Sequence, residues 1–107
     1  MTDIVWETVT YNGKRIRLTE AQMRHTAVFH PESMEHEQLL KETVTMPSVV
    51  AAGGSANVRI LYRFYQRTAV NRKYLAVVIR ELDDEGFILT SYFTDRIRRK
   101  IIWKRAS

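Results

Sequence analysis

Residues 73 to 80, KYLAVVIR, are apolar on both faces over most of their length when they are read as a strand. Side chains alternate along a strand, so a segment of this kind is typical of the centre of a sheet. Strand-like runs lie on either side of it at 58 to 67 and 86 to 94, and a fourth follows at 100 to 105. The sequence therefore predicts an antiparallel sheet of four strands over residues 58 to 105.

The N-terminal segment predicts a β-hairpin. Extended patterns at 4 to 10 and 15 to 18 lie on either side of Asn12-Gly13. This pair tolerates the positive φ angles of a tight hairpin turn, so it is a strong turn signal. We expect residues 1 to 18 to form the hairpin.

Two helices are predicted over residues 19 to 46. The first begins at Thr19, a favourable N-cap residue, and ends near His30 because Pro31 disfavours helical geometry in the residue before it. The second covers about 33 to 46 and has an apolar stripe on one side and charged residues on the other. Both helices precede the sheet along the chain.

The segment PSVVAAGGSAN, residues 47 to 57, is predicted to be a connector with Val49 and Val50 held against the core. No linker divides the chain, and 107 residues are enough for one core. The predicted class is α+β: an N-terminal hairpin and two helices packed on a four-stranded antiparallel sheet, in a single domain over residues 1 to 107.

Positive charge is concentrated in the C-terminal half. Residues 1 to 58 contain 5 Lys or Arg and 7 Asp or Glu, whereas residues 59 to 107 contain 12 and 5. Such a bias favours a polyanionic partner, either nucleic acid or an acidic protein. The alternative is that the cations only solvate the sheet.

The chain contains no cysteine, which excludes disulfides, thiolate metal sites and cysteine nucleophiles. A reducing cytoplasm is the simplest compartment for such a protein. No apolar run approaches the ~20 residues of a membrane span, and the first ten residues lack the features of a signal peptide. We expect a soluble, unprocessed cytoplasmic protein with no membrane partner.

Two predicted strands each carry one polar face. Alternation groups Arg59, Arg63, Tyr65 and Arg67 on the first strand, and Ile88, Thr90, Tyr92 and Thr94 on the third. If both groups lie on one side of the sheet, guanidinium, phenol and hydroxyl groups converge on a surface suited to phosphate. Lys73 lies at the entrance to the central strand. The alternative is that these residues only reflect β propensity and an exposed strand face.

The histidines leave a catalytic and a structural interpretation open. His25 lies on the apolar stripe of the first predicted helix, as a catalyst or as a satisfied core residue. His30 lies at the end of that helix, where it is a catalyst or interacts with the helix dipole. His36 is interpreted as structural or solvated. Positions 25 and 30 are separated by about 140° on a helix, so we expect no metal site and no cofactor.

The order of four segments is more informative than their composition: IRLTEAQMRHTAVFHPE, ILYRFYQR, RKYLAVVIRE and GFILTSYFTDRIRRKIIW. Over residues 15 to 103 it resembles the small phage and prokaryotic domains grouped as barnase, EndoU, colicin and RelE-type nucleases. The most specific features are a helix histidine followed by His-Pro-Glu, and a strand of the form Thr-small-Tyr-x-Thr. The resemblance implies a helical part on a four-stranded antiparallel sheet that carries a metal-independent RNA-cleaving site.

The resemblance implies a toxin-like endoribonuclease in which an RNA 2′-hydroxyl attacks the adjacent phosphate. Matching positions assign proton transfer to His25 or His30, charge stabilisation to Arg63 and Lys73, and positioning to Thr90 and Thr94. The residues expected to bind the substrate are Arg59, Tyr65, Arg67, Tyr92, Arg96 and Lys100. The chain departs from the pattern at Met23, where a large aromatic residue is expected, and at Arg99-Lys100, where a glycine is expected.

A non-catalytic module that binds nucleic acid or an acidic protein on the same basic sheet is the alternative function. A nuclease would make protection of the cell necessary. The expected partners are therefore RNA and an acidic antitoxin or immunity protein that covers the cationic face.

Overall fold

A computed structural model describes residues 4–21, 37–66 and 73–106 of the chain. Within these residues, seven strands form one sheet and one helix packs on it. The elements are β1 (Ile4–Val9), β2 (Arg15–Thr19), α1 (Glu37–Thr45), β3 (Val49–Ala52), β4 (Val58–Phe64), β5 (Tyr74–Glu81), β6 (Glu85–Thr94) and β7 (Ile101–Lys104).

The strand order across the sheet is β1-β2-β6-β5-β4-β3-β7. Strands β2 and β6 are parallel, and every other pair of neighbours is antiparallel. The predicted fold, with two helices on a four-stranded antiparallel sheet, is therefore wrong. The sheet is mixed and has three further strands, which come from the hairpin and from the predicted connector.

The N-terminal hairpin itself is confirmed. Thr10 donates its backbone N–H to the Lys14 carbonyl oxygen at 2.7 Å, and Gly13 has a φ of 85°. The hairpin joins the sheet because β2 pairs with the start of β6, with Ile16 opposite Gly86. Ile16 and Leu18 are almost completely buried, so docking the hairpin removes both side chains from water.

The predicted connector contains strand β3, so this prediction is wrong. β3 lies between β4 and β7 and forms antiparallel ladders with both. Val50 and Ala51 are fully buried, one on each face of the sheet. The apolar run is only four residues long, too short for alternation to distinguish a strand from a pinned loop.

The remaining predicted strands are confirmed with small changes at their ends. β5 is the middle strand of the seven, as the apolar character of both its faces indicates. α1 matches the second predicted helix, and Pro47 follows shortly after its end. The first predicted helix lies almost entirely outside the described residues.

The helix covers one face of the sheet, called here the helix face, and the other is called the open face. Leu40 and Val44 of α1 belong to one buried cluster with Leu61, Leu75 and Val77 of the helix face. Among the described residues, no helix has the length and apolar character needed to cross a membrane.

The sheet curls around α1, so that its two edges approach each other. Tyr11, in the β1–β2 turn, donates its backbone N–H to the Val44 carbonyl oxygen at 3.2 Å. Its ring centroid is 4.8 Å from that of Trp103 on β7. The β1–β2 turn at one edge of the sheet and strand β7 at the other therefore meet over the C-terminal end of the helix.

Gly86 lies at the junction of β2, β6 and β5, and we expect Gly86→Ala to weaken it. A Cβ atom there would lie 2.5 Å from the Arg80 carbonyl oxygen and 2.8 Å from Ile16 Cδ1. Because backbone has to move to relieve the first contact, we expect the free energy of unfolding to fall by about 1–3 kcal/mol, measured by chemical denaturation. Gly54→Ala is the control, since its nearest atom is Arg99 Nη2 at 3.9 Å. Equal stabilities for the two variants would contradict the packing.

Candidate nucleic-acid interface

The strand register places Arg63 and Thr90 on opposite faces of the sheet. Arg63 lies opposite Leu75 on β5, whereas Thr90 lies opposite Val78. Leu75 and Val78 are three positions apart on one strand, so their side chains project from opposite faces. The predicted surface shared by Arg63 and Thr90 is therefore wrong. Alternation predicts which residues of one strand share a face. The register between neighbouring strands decides which of these faces lie on the same side of the sheet.

Strand β6 contains a β-bulge that changes its alternation. Val78 pairs with Thr90, but the next residue, Ile79, pairs with Ile88. Leu89 is thus the extra residue, and Ile88 turns to the helix face, where it is 1% exposed. The prediction that Ile88 shares a face with Thr90 is wrong because a bulge interrupts the period of two.

Arg63 connects the end of β4 to the end of α1. Its Nη1 atom donates a hydrogen bond to the Met46 carbonyl oxygen at 2.6 Å, and its guanidinium lies 5.5 Å from the Tyr65 ring centroid. The Tyr65 hydroxyl donates to Glu42 Oε1 at 3.0 Å. Burial, together with the nearby Glu42 carboxylate, raises the pKa of Tyr65 to about 12. Both residues thus hold α1 against the sheet.

Lys73 and Thr94 lie at the same end of the sheet as Arg63 and Tyr65. Tyr65 donates its backbone N–H to the Lys73 carbonyl oxygen at 2.8 Å, and Lys73 donates its own to Asp95 Oδ1 at 3.2 Å. Thr94 is paired with the residue after Lys73. Four of the predicted site residues are therefore gathered at one sheet end, although they belong to different faces.

Residues 95–100 cross the open face, and we call this segment the cationic crossover. It joins β6 to β7, which are separated in the sheet by β5, β4 and β3. Ile97 packs against a cluster on the open face that includes Tyr62 and Ala76. At the far end, the Lys100 carbonyl oxygen accepts the backbone N–H of Ala52 at 2.9 Å.

Tyr62 fixes the middle of the cationic crossover. Its side chain is 1% exposed, and its hydroxyl hydrogen-bonds with the Tyr92 hydroxyl and with the backbone of Arg98. Burial, together with the interaction with Tyr92, raises the pKa of Tyr62 to about 12. A neutral phenol therefore joins the crossover to β4 over the whole physiological pH range.

The cationic crossover is strongly basic. Its basic residues, all exposed, are Arg96, Arg98, Arg99 and Lys100. In the described part of the chain, the ion pairs join Lys14 to Glu81 at 3.0 Å, and Arg17 and Arg15 to Glu85 at 2.9 and 3.9 Å. None of these ion pairs involves a crossover cation, and the four basic residues are exposed.

A hollow of about 520 Å³ opens where β6 leads into the cationic crossover. Its lining residues are Phe93, Thr94, Asp95, Arg96 and Arg98. The hollow thus has one hydroxyl, one carboxylate and two guanidinium groups around it, a set that suits an anion bearing hydrogen-bond donors.

His25, His30 and Arg67 are outside the described residues, so their assigned roles stay predictions. Arg59 is on the helix face, where it donates to the Ala56 and Val58 carbonyl oxygens at 2.8 and 3.0 Å. It also lines a separate hollow of about 350 Å³ at the opposite sheet end, with Lys14, Asn57, Glu81, Leu82 and Asp83.

The open face contributes two features that the sequence-based assignment missed. Arg98 and Arg99 belong to the exposed cations, although only Arg96 and Lys100 were assigned to substrate binding. Tyr62, which was not among the predicted site residues, positions the crossover. The run RIRRK signalled the cations, but nothing in it indicated that they lie over Tyr62. The Thr90 hydroxyl oxygen is buried and has no hydrogen-bond partner within the described part of the chain.

Comparisons with family models, with curated proteins and with solved structures found no match for this chain. Among the described residues, no group of three or more His, Cys, Asp or Glu side chains is arranged to hold a metal ion.

Removal of the Tyr62 hydroxyl should loosen the cationic crossover and leave the apolar contacts of the ring in place. We expect Tyr62→Phe to increase hydrogen–deuterium exchange over residues 95–100 and to lower the free energy of unfolding by about 0.5–1.5 kcal/mol. Tyr65→Phe is the matched control, because it removes a half-buried phenol hydroxyl from the helix face. Exchange over residues 95–100 that is equal in both variants would contradict the role of Tyr62.

Proposed function

We propose that the protein binds RNA through the cationic crossover. The observation that supports this best is the group of four exposed cations, Arg96, Arg98, Arg99 and Lys100, held over one face of the sheet. None of the ion pairs among the described residues involves them. Phosphates neutralise such a group and release condensed counterions, which favours binding.

The crossover is organised before the ligand arrives. Ile97 packs on the open face, Tyr62 bonds to the backbone of Arg98, and Ala52 bonds to Lys100. Three attachments within six residues hold the backbone, so binding has to order only the arginine and lysine side chains. Less conformational entropy is lost than when a flexible basic tail binds.

Replacement of two crossover cations tests this proposal. We expect Arg98→Gln/Arg99→Gln to weaken binding of a single-stranded 2′-O-methyl RNA by at least about tenfold at 0.1 M salt. The slope of log K against log salt should also fall in magnitude by about 1.4, that is, about 0.7 for each lost phosphate contact. Fluorescence anisotropy measures both quantities, and the 2′-O-methyl group prevents cleavage by 2′-hydroxyl attack.

The control variant also loses two positive charges, but at positions outside the crossover. Arg15→Gln/Lys41→Gln removes one cation from β2 and one from α1, and we expect it to change the affinity by less than about threefold. Equal losses in the two double variants would show that only net charge matters, and would contradict a site on the crossover.

Metal-independent RNA cleavage is the second candidate function. It is favoured by the gathering of Arg63, Tyr65, Lys73 and Thr94 at one end of the sheet, next to the hollow. Under this proposal His25 or His30 transfers protons, Lys73 stabilises charge on the phosphorane, and Thr94 positions it. Thr90 lies four positions before Thr94 in the sequence, and its hydroxyl is buried. It takes no part in this arrangement.

Cleavage is tested with unmodified RNA in the presence of EDTA. We expect products with 2′,3′-cyclic phosphate ends, a loss of roughly 100- to 1,000-fold in Lys73→Ala and of roughly 100- to 10,000-fold in His25→Ala. Arg15→Gln/Lys41→Gln should cleave at the parental rate. Parental rates in both folded alanine variants would reject the catalytic assignment and leave RNA binding as the function.

A nuclease of this kind acts in the cytoplasm and needs an inhibitor there. We propose an acidic antitoxin or immunity protein that covers the cationic crossover and excludes RNA by occupying the same guanidinium groups. Such a complex should lose affinity with rising salt, as RNA binding does.

A further inference from the structure

The cationic crossover begins beside a row of side chains on the open face that includes an exposed aromatic ring. Phe64, Tyr74 and Thr94 are in register across β4, β5 and β6. The side chain of Phe64 is 52% exposed, whereas Thr94 lines the hollow that also contains Arg96 and Arg98. An aromatic surface, a hydroxyl and two guanidinium groups therefore follow one another across the end of this face.

Phe64 is held in place although half of it faces water. Its backbone N–H donates to Ser48 Oγ at 3.0 Å. Tyr74 contacts its ring edge to face, with the centroids 5.9 Å apart, and Tyr62 supports Tyr74 in the same way at 6.2 Å. The exposed ring is thus fixed from one side, and its free surface lies on the face that the cations cross.

We propose that the RNA bound here is single-stranded, with an unpaired base stacked on Phe64 and the neighbouring phosphates on Arg96 and Arg98. This inference rests on the proposed RNA binding and specifies the class of RNA. Aromatic rings on sheet surfaces bind bases whose faces are free, and positive charge beside them follows the backbone. In a duplex the base faces are stacked on one another, so a duplex reaches only the cations.

The experiment compares a single-stranded 2′-O-methyl RNA 12-mer with the duplex formed by the same sequence and its complement. The test variant is Phe64→Leu, which keeps an apolar side chain but removes the aromatic face. We expect it to weaken single-strand binding by roughly 5- to 150-fold, the range of one base–aromatic stack. Duplex binding should change by less than about twofold.

Two further variants separate stacking from other causes. Phe64→Trp supplies a larger aromatic face, so we expect it to keep or increase the parental single-strand affinity. Leu82→Ala shortens another exposed apolar side chain, in the turn after β5, and should leave both affinities unchanged. A 2-aminopurine base in the strand should be quenched by the parent and by Phe64→Trp, but not by Phe64→Leu.

Loss of single-strand affinity in Phe64→Leu, with retention in Phe64→Trp and an unchanged duplex affinity, supports the proposal. Parental single-strand affinity in Phe64→Leu overturns it, as does a parental protein that prefers the duplex, and both results leave RNA binding by the crossover intact. Absence of binding to either RNA by the parent overturns the proposed function itself.

Discussion

The position of β3 between β4 and β7 is the constraint on which the candidate site depends. Val50 and Ala51 are buried on opposite faces, so both faces of β3 favour a place inside the sheet. This insertion moves β7 to the far edge of the sheet, with three strands between it and β6. Residues 95–100 then have to cross the open face. The strand order therefore places their four basic residues on that face.

The same arrangement explains how so much like charge is tolerated in a short segment. Fully exposed guanidinium and ammonium groups repel one another only weakly in water at physiological salt. Neutral contacts hold the segment on the sheet. Ile97 packs its apolar side chain on the open face, and the Tyr62 hydroxyl bonds to the backbone of the segment. The charge is thus left available for a polyanion, while the fold is held by neutral groups.

Local patterns in the sequence predicted local structure, but they did not predict how strands are placed against one another. The Asn12-Gly13 turn and the central strand β5 were predicted because turn chemistry and two-sided apolar character are properties of single segments. The faces of Arg63 and Thr90 depend on the offset between β4, β5 and β6, and the bulge at Leu89 shifts that offset. β3 was missed because a strand of four residues has too little alternation to recognise. The parallel docking of β2 on β6 is a long-range pairing that neither segment signals alone.

The division between the two faces also restricts where the proposed RNA cleavage could take place. Arg63 and Tyr65 belong to the helix face, where contacts with Met46 and Glu42 engage them. The crossover cations belong to the open face, so the sheet itself separates the two groups. They approach each other at the end of the strands, where Lys73 is bonded to Asp95 and Thr94 borders the hollow. Phe64 lies at this same end, in the row with Tyr74 and Thr94, so a strand of RNA stacked on it would pass close to these residues. A scissile phosphate would therefore lie around the rim of the sheet near Lys73, and the centre of the open face would serve binding alone.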